Sequence, residues 1–202
     1  MRLRSLILFL LFVFVSVPAM AAGTEEEKEL GFWVEVQTIS RQPARAILWY
    51  EKELTDSFGF FTFVWRESDG FRQLLAGPTW KPFEGLQLGI GIGRETVREE
   101  GRGVSRGFFL DATRGDWNLS AAFERGRVSG PWHKVTATYA FSKAFGAGLM
   151  SEKDLGFGPR FEWNARKDFQ VWGAMLRGRF TDVEDDIAKK RTTTVFGVNF
   201  SF

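Results

Sequence analysis

The chain contains one histidine, His133, and no cysteine, so the side chains that most often carry nucleophilic or metal chemistry are nearly absent. Ser129 stands four residues before His133, and Ser151, Glu152 and Asp154 follow in a later segment. A nucleophile, a base and an orienting acid could meet if the fold joined these segments. Asp182, Glu184, Asp185 and Asp186 gather carboxylates in one stretch. They lack the regular ligand spacing of a cation loop, and a solvated loop is the simpler reading. Gly89-Ile90-Gly91-Ile92-Gly93 is glycine-rich but lacks the strand-to-helix setting of a nucleotide-binding turn. What remains is a set of charges: Arg66, Lys81, Lys134, Arg160, Arg177, Arg179 and Arg191, with Glu35, Glu95, Asp111, Glu124 and Glu162. Such groups either line a water-filled passage and set its ionic selectivity or pair with one another in a closed interior.

Which of these they do depends on the elements that carry them. From Arg191 to Phe202, Thr194, Phe196, Val198, Phe200 and Phe202 fall on one parity, and Thr193, Val195, Gly197, Asn199 and Ser201 on the other. This is a strand with one apolar face. The alternation returns from Leu155, where Leu155, Phe157, Phe161 and Trp163 oppose Gly156, Gly158, Arg160, Glu162 and Asn164, and again from Trp117. Further runs centre on 32–40, 44–53, 58–67, 71–81, 86–96, 104–113, 132–142, 145–150 and 169–180, giving about twelve strands. The runs from Ala44 and Phe145 are the weakest, and ten strands is the alternative count. Turns fall at Lys81 to Gly85, Arg114-Gly115-Asp116 and Arg166-Lys167-Asp168 on one side, and near Gln42, Asp69, Glu99, Gly130, Lys153 and Asp185 on the other. Even the longest loop, Thr181 to Lys190, leaves little material for a large extracellular adhesive or receptor domain.

The first 22 residues read as a signal peptide: Arg2 and Arg4, an apolar run from Leu6 to Val15, then Pro18 and the small-residue stretch Ala19 to Ala22. That run is shorter than the ~20 residues of a spanning helix. Residues 23–30, with Glu25, Glu26 and Glu27, form a short acidic tail, and 31–202 one domain. Removing the leader takes two arginines and no acids, so 27 basic residues become 25 against 25 acidic ones. The apparent basicity disappears, and with it the case for nucleic acid. No later stretch is long and apolar enough for a membrane helix. A membrane-spanning fold must then be a closed barrel, because an open sheet edge would leave backbone groups unpaired in lipid.

Aromatic residues on the apolar parity cluster near strand ends, as lipid-interface residues do. Trp80, Trp117, Phe141, Phe145, Trp163 and Phe202 fall on one side, and Trp65, Phe123 and Phe180 on the other. On the opposite parity, Gly89, Gly91, Gly93, Gly146, Gly148, Gly156 and Gly158 remove side chains where a filled interior would want bulk. That favours an open passage. The competing reading is that the glycines relieve crowding or permit curvature.

The leader, the repeated amphipathic strands and the terminal Val198-Asn199-Phe200-Ser201-Phe202 resemble the outer-membrane β-barrel proteins of Gram-negative bacteria. The resemblance implies an outer-membrane location and contact with outer-membrane lipid and lipopolysaccharide. It also implies recognition of the terminal Phe202 by the barrel-assembly machinery. In size the chain is similar to the twelve-stranded small porins for acidic sugars, whose pores carry arginine tracks; the inward set here is mixed in sign. The class also includes lipid-modifying enzymes that use His and Ser. Their deacylase and phospholipase motifs place Ser two residues after His, where this chain has Val135.

The expectation is therefore an all-β, antiparallel up-and-down transmembrane barrel. It would pass small hydrophilic solutes by passive diffusion, without cofactor, metal or covalent chemistry. Ionic selectivity would be weak and lean toward anions. The alternatives are a lipid-modifying enzyme using His133 and a structural or assembly barrel with a plugged lumen.

Overall fold

The computed structural model describes residues 31–181 and 188–202. The leader and acidic tail expected over 1–30 lie outside the described residues, as do the carboxylates of Asp182 to Asp186 and the Phe180 side chain. Twelve strands run in chain order: β1 (Gly31–Ile39), β2 (Arg45–Glu53), β3 (Phe58–Glu67), β4 (Arg72–Phe83), β5 (Leu86–Val97), β6 (Gly101–Arg114), β7 (Trp117–Gly126), β8 (Gly130–Ala140), β9 (Phe145–Glu152), β10 (Gly156–Arg166), β11 (Phe169–Thr181) and β12 (Ala188–Ser201). Each pairs antiparallel with its chain neighbours. β1 closes on β12 with Val36 opposite Val198, so the sheet has no free edge. The two weakest runs of the sequence are β2 and β9, which settles the count at twelve.

Both ends of the described barrel and the five turns after β2, β4, β6, β8 and β10 lie at one end, called here the terminal end. The turns there are tight, and the backbone requires glycine at two of them. Gly85 has φ 78° and packs so closely on the Thr113 carbonyl that a Cβ would collide with it; Gly115 has φ 59°. The other end, called the far end, carries the remaining turns.

Burial and register separate two faces. Leu74, Ile90, Ile92, Phe108, Leu119, Leu149, Phe161, Met175 and Phe196 stand exposed around the outside. An apolar band of this size suits hydrocarbon and not water. At the terminal end, exposed Trp80, Phe83, Trp117, Phe141, Phe145, Trp163 and Phe202 continue that band as an aromatic girdle. Neighbouring rings touch, with Phe32 and Phe202 centroids 5.6 Å apart and Trp117 and Tyr139 5.1 Å apart.

Two apolar residues placed outside by the alternation are inside. Trp65 is buried with Phe61 and Phe63 on the inner face of β3, because both parities of that strand are apolar and polarity cannot tell them apart. Leu155 precedes β10 in a turn, with its N–H bonded to the Glu152 carbonyl, and Gly156 at φ 107° breaks the alternation. Leu155 then folds inward against Met150 and Leu176.

Candidate channel interior

The inner face is built from one parity of each strand, and it divides into an aromatic wall and a polar wall. On the aromatic wall Trp49 stacks on Phe61 with centroids 4.5 Å apart and 4° between planes. Phe109 meets Phe61 edge-on at 5.1 Å and Trp49 at 5.2 Å, and Phe63 joins from the same side. These rings occupy the space that the glycines leave. A Cβ on Gly91 would lie 2.8 Å from the Phe61 Cζ, one on Gly107 would lie 2.8 Å from the Phe109 ring, and one on Gly197 would overlap Trp172. Gly91 therefore seats the Phe61 ring from β3, Gly107 the Phe109 ring of its own strand and Gly197 the Trp172 ring from β11, while Gly93 packs on the Leu74 backbone. The expectation that they leave empty space is corrected here, and the crowding-relief reading applies.

The polar wall is a column of paired charges. At the far end the Arg45 guanidinium lies between Glu67, with Nε 2.7 Å from its carboxylate, and Glu152. One residue pair deeper, Lys134 lies opposite Glu152 in the register and reaches across to Glu35 at 2.9 Å. Arg160 Nε bonds Glu162 at 2.7 Å, and its guanidinium caps the Trp172 ring 3.9 Å from the centroid. The Lys134 ammonium stands 5.2 Å from the same ring. Asn164, Gln170 and Asn199 continue the column toward the terminal end with 2.9 Å contacts. The pairs Arg45 with Glu152 and Lys134 with Glu35 join β2 to β9 and β1 to β8, strands that stand nearly opposite in the ring. They bridge the lumen from side to side. A buried charge of this kind holds its geometry only because its partners replace water.

A cavity of about 150 Å³ at the far end is lined by Arg45, Trp65, Glu67, Gln73, Glu124 and Trp132 among others. At the terminal end Asp111 is exposed on the inner face beside Gln87, Asn118 and Ser120. Glu51 accepts from Thr79 at 3.0 Å and from Gln87 at 2.6 Å in the same vestibule. Lys81 pairs with Glu53 at its rim.

The structure thus puts Glu35, Lys81, Glu95, Asp111, Glu124, Lys134, Arg160, Glu162 and Arg191 on the inner parity, as read from the sequence. It puts Arg66, Arg177 and Arg179 on the outer one. Arg66 alternates with inward Trp65, and Arg177 pairs with outward Phe157 while its neighbour Leu176 is buried. The rule of polar inside fails there because these residues lie near the far end, beyond the apolar band, where an outward charge meets no hydrocarbon. Sequence reasoning missed Arg45, Glu51, Glu53, Glu67 and Glu152 on the inner face. The mixed faces of β2 hid the first three, whereas Glu152 continues the inward parity of Gly148 and Met150.

With these placements the acids on the inner face, namely Glu35, Glu51, Glu53, Glu67, Glu95, Asp111, Glu124, Glu152 and Glu162, outnumber Arg45, Lys81, Lys134, Arg160 and Arg191 among the described side chains.

His133, Ser129 and Glu152 are not brought together. His133 faces outward and packs on Phe123, with ring centroids 6.4 Å apart. Ser129 donates its hydroxyl to Glu95 at 2.5 Å inside the far-end mouth, and Glu152 is held by Arg45 in the lumen. The barrel wall separates the histidine from both; Ser151 shares its outer face, opposite Val135, but no hydrogen bond joins it to His133 and no acid orients the ring among the described residues. Among the described residues, no group of three or more His, Asp or Glu is arranged to hold a metal ion.

No family model and no curated protein matches the chain. Solved structures do match. A KdgM porin in complex with disordered oligogalacturonate superposes with TM-score 0.53 at 11% identity, over 86% of this chain and 99% of that one. The NanC porin superposes with TM-score 0.52 at 12% identity, over 85% of this chain and 100% of that one. Outer membrane phospholipase A from Escherichia coli gives TM-score 0.51 at 8% identity, over 89% and 94%. Identities this low establish a shared fold, the closed twelve-stranded barrel.

Proposed function

We propose that this protein is an outer-membrane channel of the small-porin type that passes small hydrophilic solutes by diffusion through a lumen with one aromatic and one polar wall. The observation that carries this reading is the column of polar and charged side chains running from Arg45 at the far mouth through Lys134, Glu35, Arg160 and Glu162 to Asn164 at the terminal mouth. A barrel built only for rigidity would gain more from an apolar filling, since paired buried charges stabilise less than well-packed hydrocarbon. The apolar exterior, the aromatic girdle and the likeness in fold to the KdgM and NanC porins support a place in the outer membrane of a Gram-negative bacterium. The excess of inward acids favours cations over anions. The separation of His133 from Ser129 and Glu152 weighs against a lipid-modifying enzyme.

One second reading has an observation of its own. Phe61, Leu75, Met150, Trp172 and Leu176 are fully buried, so a closed structural barrel would also account for the filled middle. Refolded protein in a planar bilayer separates the two. Discrete current steps with a reversal potential displaced toward the cation in a salt gradient support the channel. A folded, heat-modifiable barrel that passes no current would replace it with the structural role.

A further inference from the structure

The barrel wall sorts charge. Among the described strands every Asp and Glu lies on the inner parity, and none faces outward. Adjacent residues of opposite sign show how this arises. Arg94 precedes Glu95 on β5 and Glu124 precedes Arg125 on β7, and in each pair the acid is buried inside while the arginine is exposed outside. Neutral in sequence, these segments are polarised across the wall.

The outward bases are also uneven along the barrel. Exposed Arg72 on β4, Arg94 on β5, Arg102 and Arg106 on β6 and Arg125 on β7 all sit toward the far end, whereas the terminal end carries the aromatic girdle. The register draws them into one patch: Arg106 lies directly opposite Arg125, and Arg94 lies opposite Val104, between Arg102 and Arg106. Like charges directly opposite on a sheet repel. None of these five arginines makes an ion pair or side-chain hydrogen bond with another described residue. The carboxylates of Asp69, Glu99 and Glu100 stand in the turns beyond the strand ends, where Asp69 accepts the Phe71 N–H and Glu99 lies 3.9 Å from Arg98. On the opposite side the patch borders the apolar band. Leu74, Ile92, Phe108 and Phe123 follow Arg72, Arg94, Arg106 and Arg125 two residues nearer mid-barrel on the same face, and all four are exposed.

We infer that this arginine patch on β4 to β7 is a binding site for the phosphate groups of a phosphorylated glycolipid of the outer leaflet. The chemistry calls for an amphiphile. Its phosphates neutralise guanidinium groups that have no protein carboxylate, through charge-assisted hydrogen bonds. Its acyl chains cover the apolar side chains directly beneath them. Free phosphate would satisfy the first half of the surface and leave the second in water. The inference rests on the outer-membrane placement proposed above and on the far end facing outward, the tight turns of the terminal end suiting the periplasmic side; it does not rest on conduction.

The test uses the full mature protein, purified folded in detergent, with bisphosphorylated lipid A as the probe and the same lipid without phosphates as the control. Binding is read by native mass spectrometry for wild type, for R94Q/R106Q/R125Q together, and for Lys52→Gln, an outward base at the terminal end. If each arginine contributes as a basic residue does at an anionic lipid surface, the triple variant binds about a hundredfold more weakly. Lys52→Gln should bind as wild type does, and phosphate-free lipid should bind weakly to all three. Equal binding of lipid A by wild type and the triple variant would overturn the site, as would equal affinity of the wild type for the two lipids. Phosphatidylglycerol binding as tightly as lipid A would do so too, by reducing the patch to a general anionic surface. Conductance measured on the same preparations keeps the two proposals apart. A barrel that conducts but does not discriminate the lipids removes only this site, and one that binds lipid A but is silent removes only the channel.

Discussion

Replacing Phe61 with alanine should both weaken the barrel and widen its passage. The ring is fully buried between Trp49 and Phe109, and Gly89 and Gly91 face it with no side chain able to move into the hole. Phe to Ala substitutions in such settings cost about 3–5 kcal/mol, and the larger values belong to cavities that stay dry and cannot collapse. Here the hole adjoins the terminal vestibule, where Glu51, Gln87 and Asp111 already hold polar groups, so water can enter and the cost falls near the lower bound, about 3 kcal/mol. Urea unfolding in lipid vesicles, followed by tryptophan fluorescence, reads the first effect as a lower midpoint with unchanged slope. Single-channel recording reads the second as a severalfold larger step. Gly91→Val is the converse perturbation: its Cβ alone would lie 2.8 Å from the Phe61 Cζ, so overpacking should cost about 1–3 kcal/mol and leave the step no larger than wild type. A Phe61→Ala barrel with lower stability and unaltered conductance would refute the reasoning that the Phe61 ring occupies space in the passage.

Two other substitutions test the polar wall and the chain terminus. Arg45→Met leaves Glu67 and Glu152 facing each other in the far-end mouth, a loss of about 3–5 kcal/mol for a buried pair broken on one side, and adding Glu67→Gln with Glu152→Gln should restore most of it. A single-variant midpoint equal to wild type would show that water already screens the cluster. Deleting Phe202 should reduce the amount of folded barrel recovered from outer membranes while leaving refolding in detergent intact, because the ring lies exposed on the girdle and contacts only Phe32 among the described rings. A matching loss in both assays would make its role one of stability.

The strands were legible because each crosses an apolar layer, which imposes strict alternation on the outward residues over mid-barrel. Phe196, Val198 and Phe200 on β12 and Leu119, Ala121 and Phe123 on β7 follow it without exception. The tight turns were legible for a similar reason, since Gly85 and Gly115 occupy backbone that other residues resist. Alternation fixes two faces but says which is inner only where one of them is polar. On β3 both faces are apolar, and on β11 Arg177 and Arg179 continue the parity of Val171 and Met175. Their assignment came from the partners: Phe61 and Trp65 interlock with rings from β2, β6 and β8, and Leu176 packs under Leu155.

The sequence by itself determined an antiparallel barrel of about twelve strands with a lipid-compatible exterior, because those properties follow from a two-residue period and from where it stops; closure with β2 and β9 in place decided the count. Only the tertiary structure decided what fills the lumen. Gly91 and Gly197 are missing bulk in the sequence, and they become seats for Phe61 and Trp172 only when β3 to β5 and β11 to β12 are set in register. The same holds for charge: Lys134 and Glu35 are 99 residues apart, and nothing local couples them until closure of the barrel brings β8 and β1 across the lumen from each other.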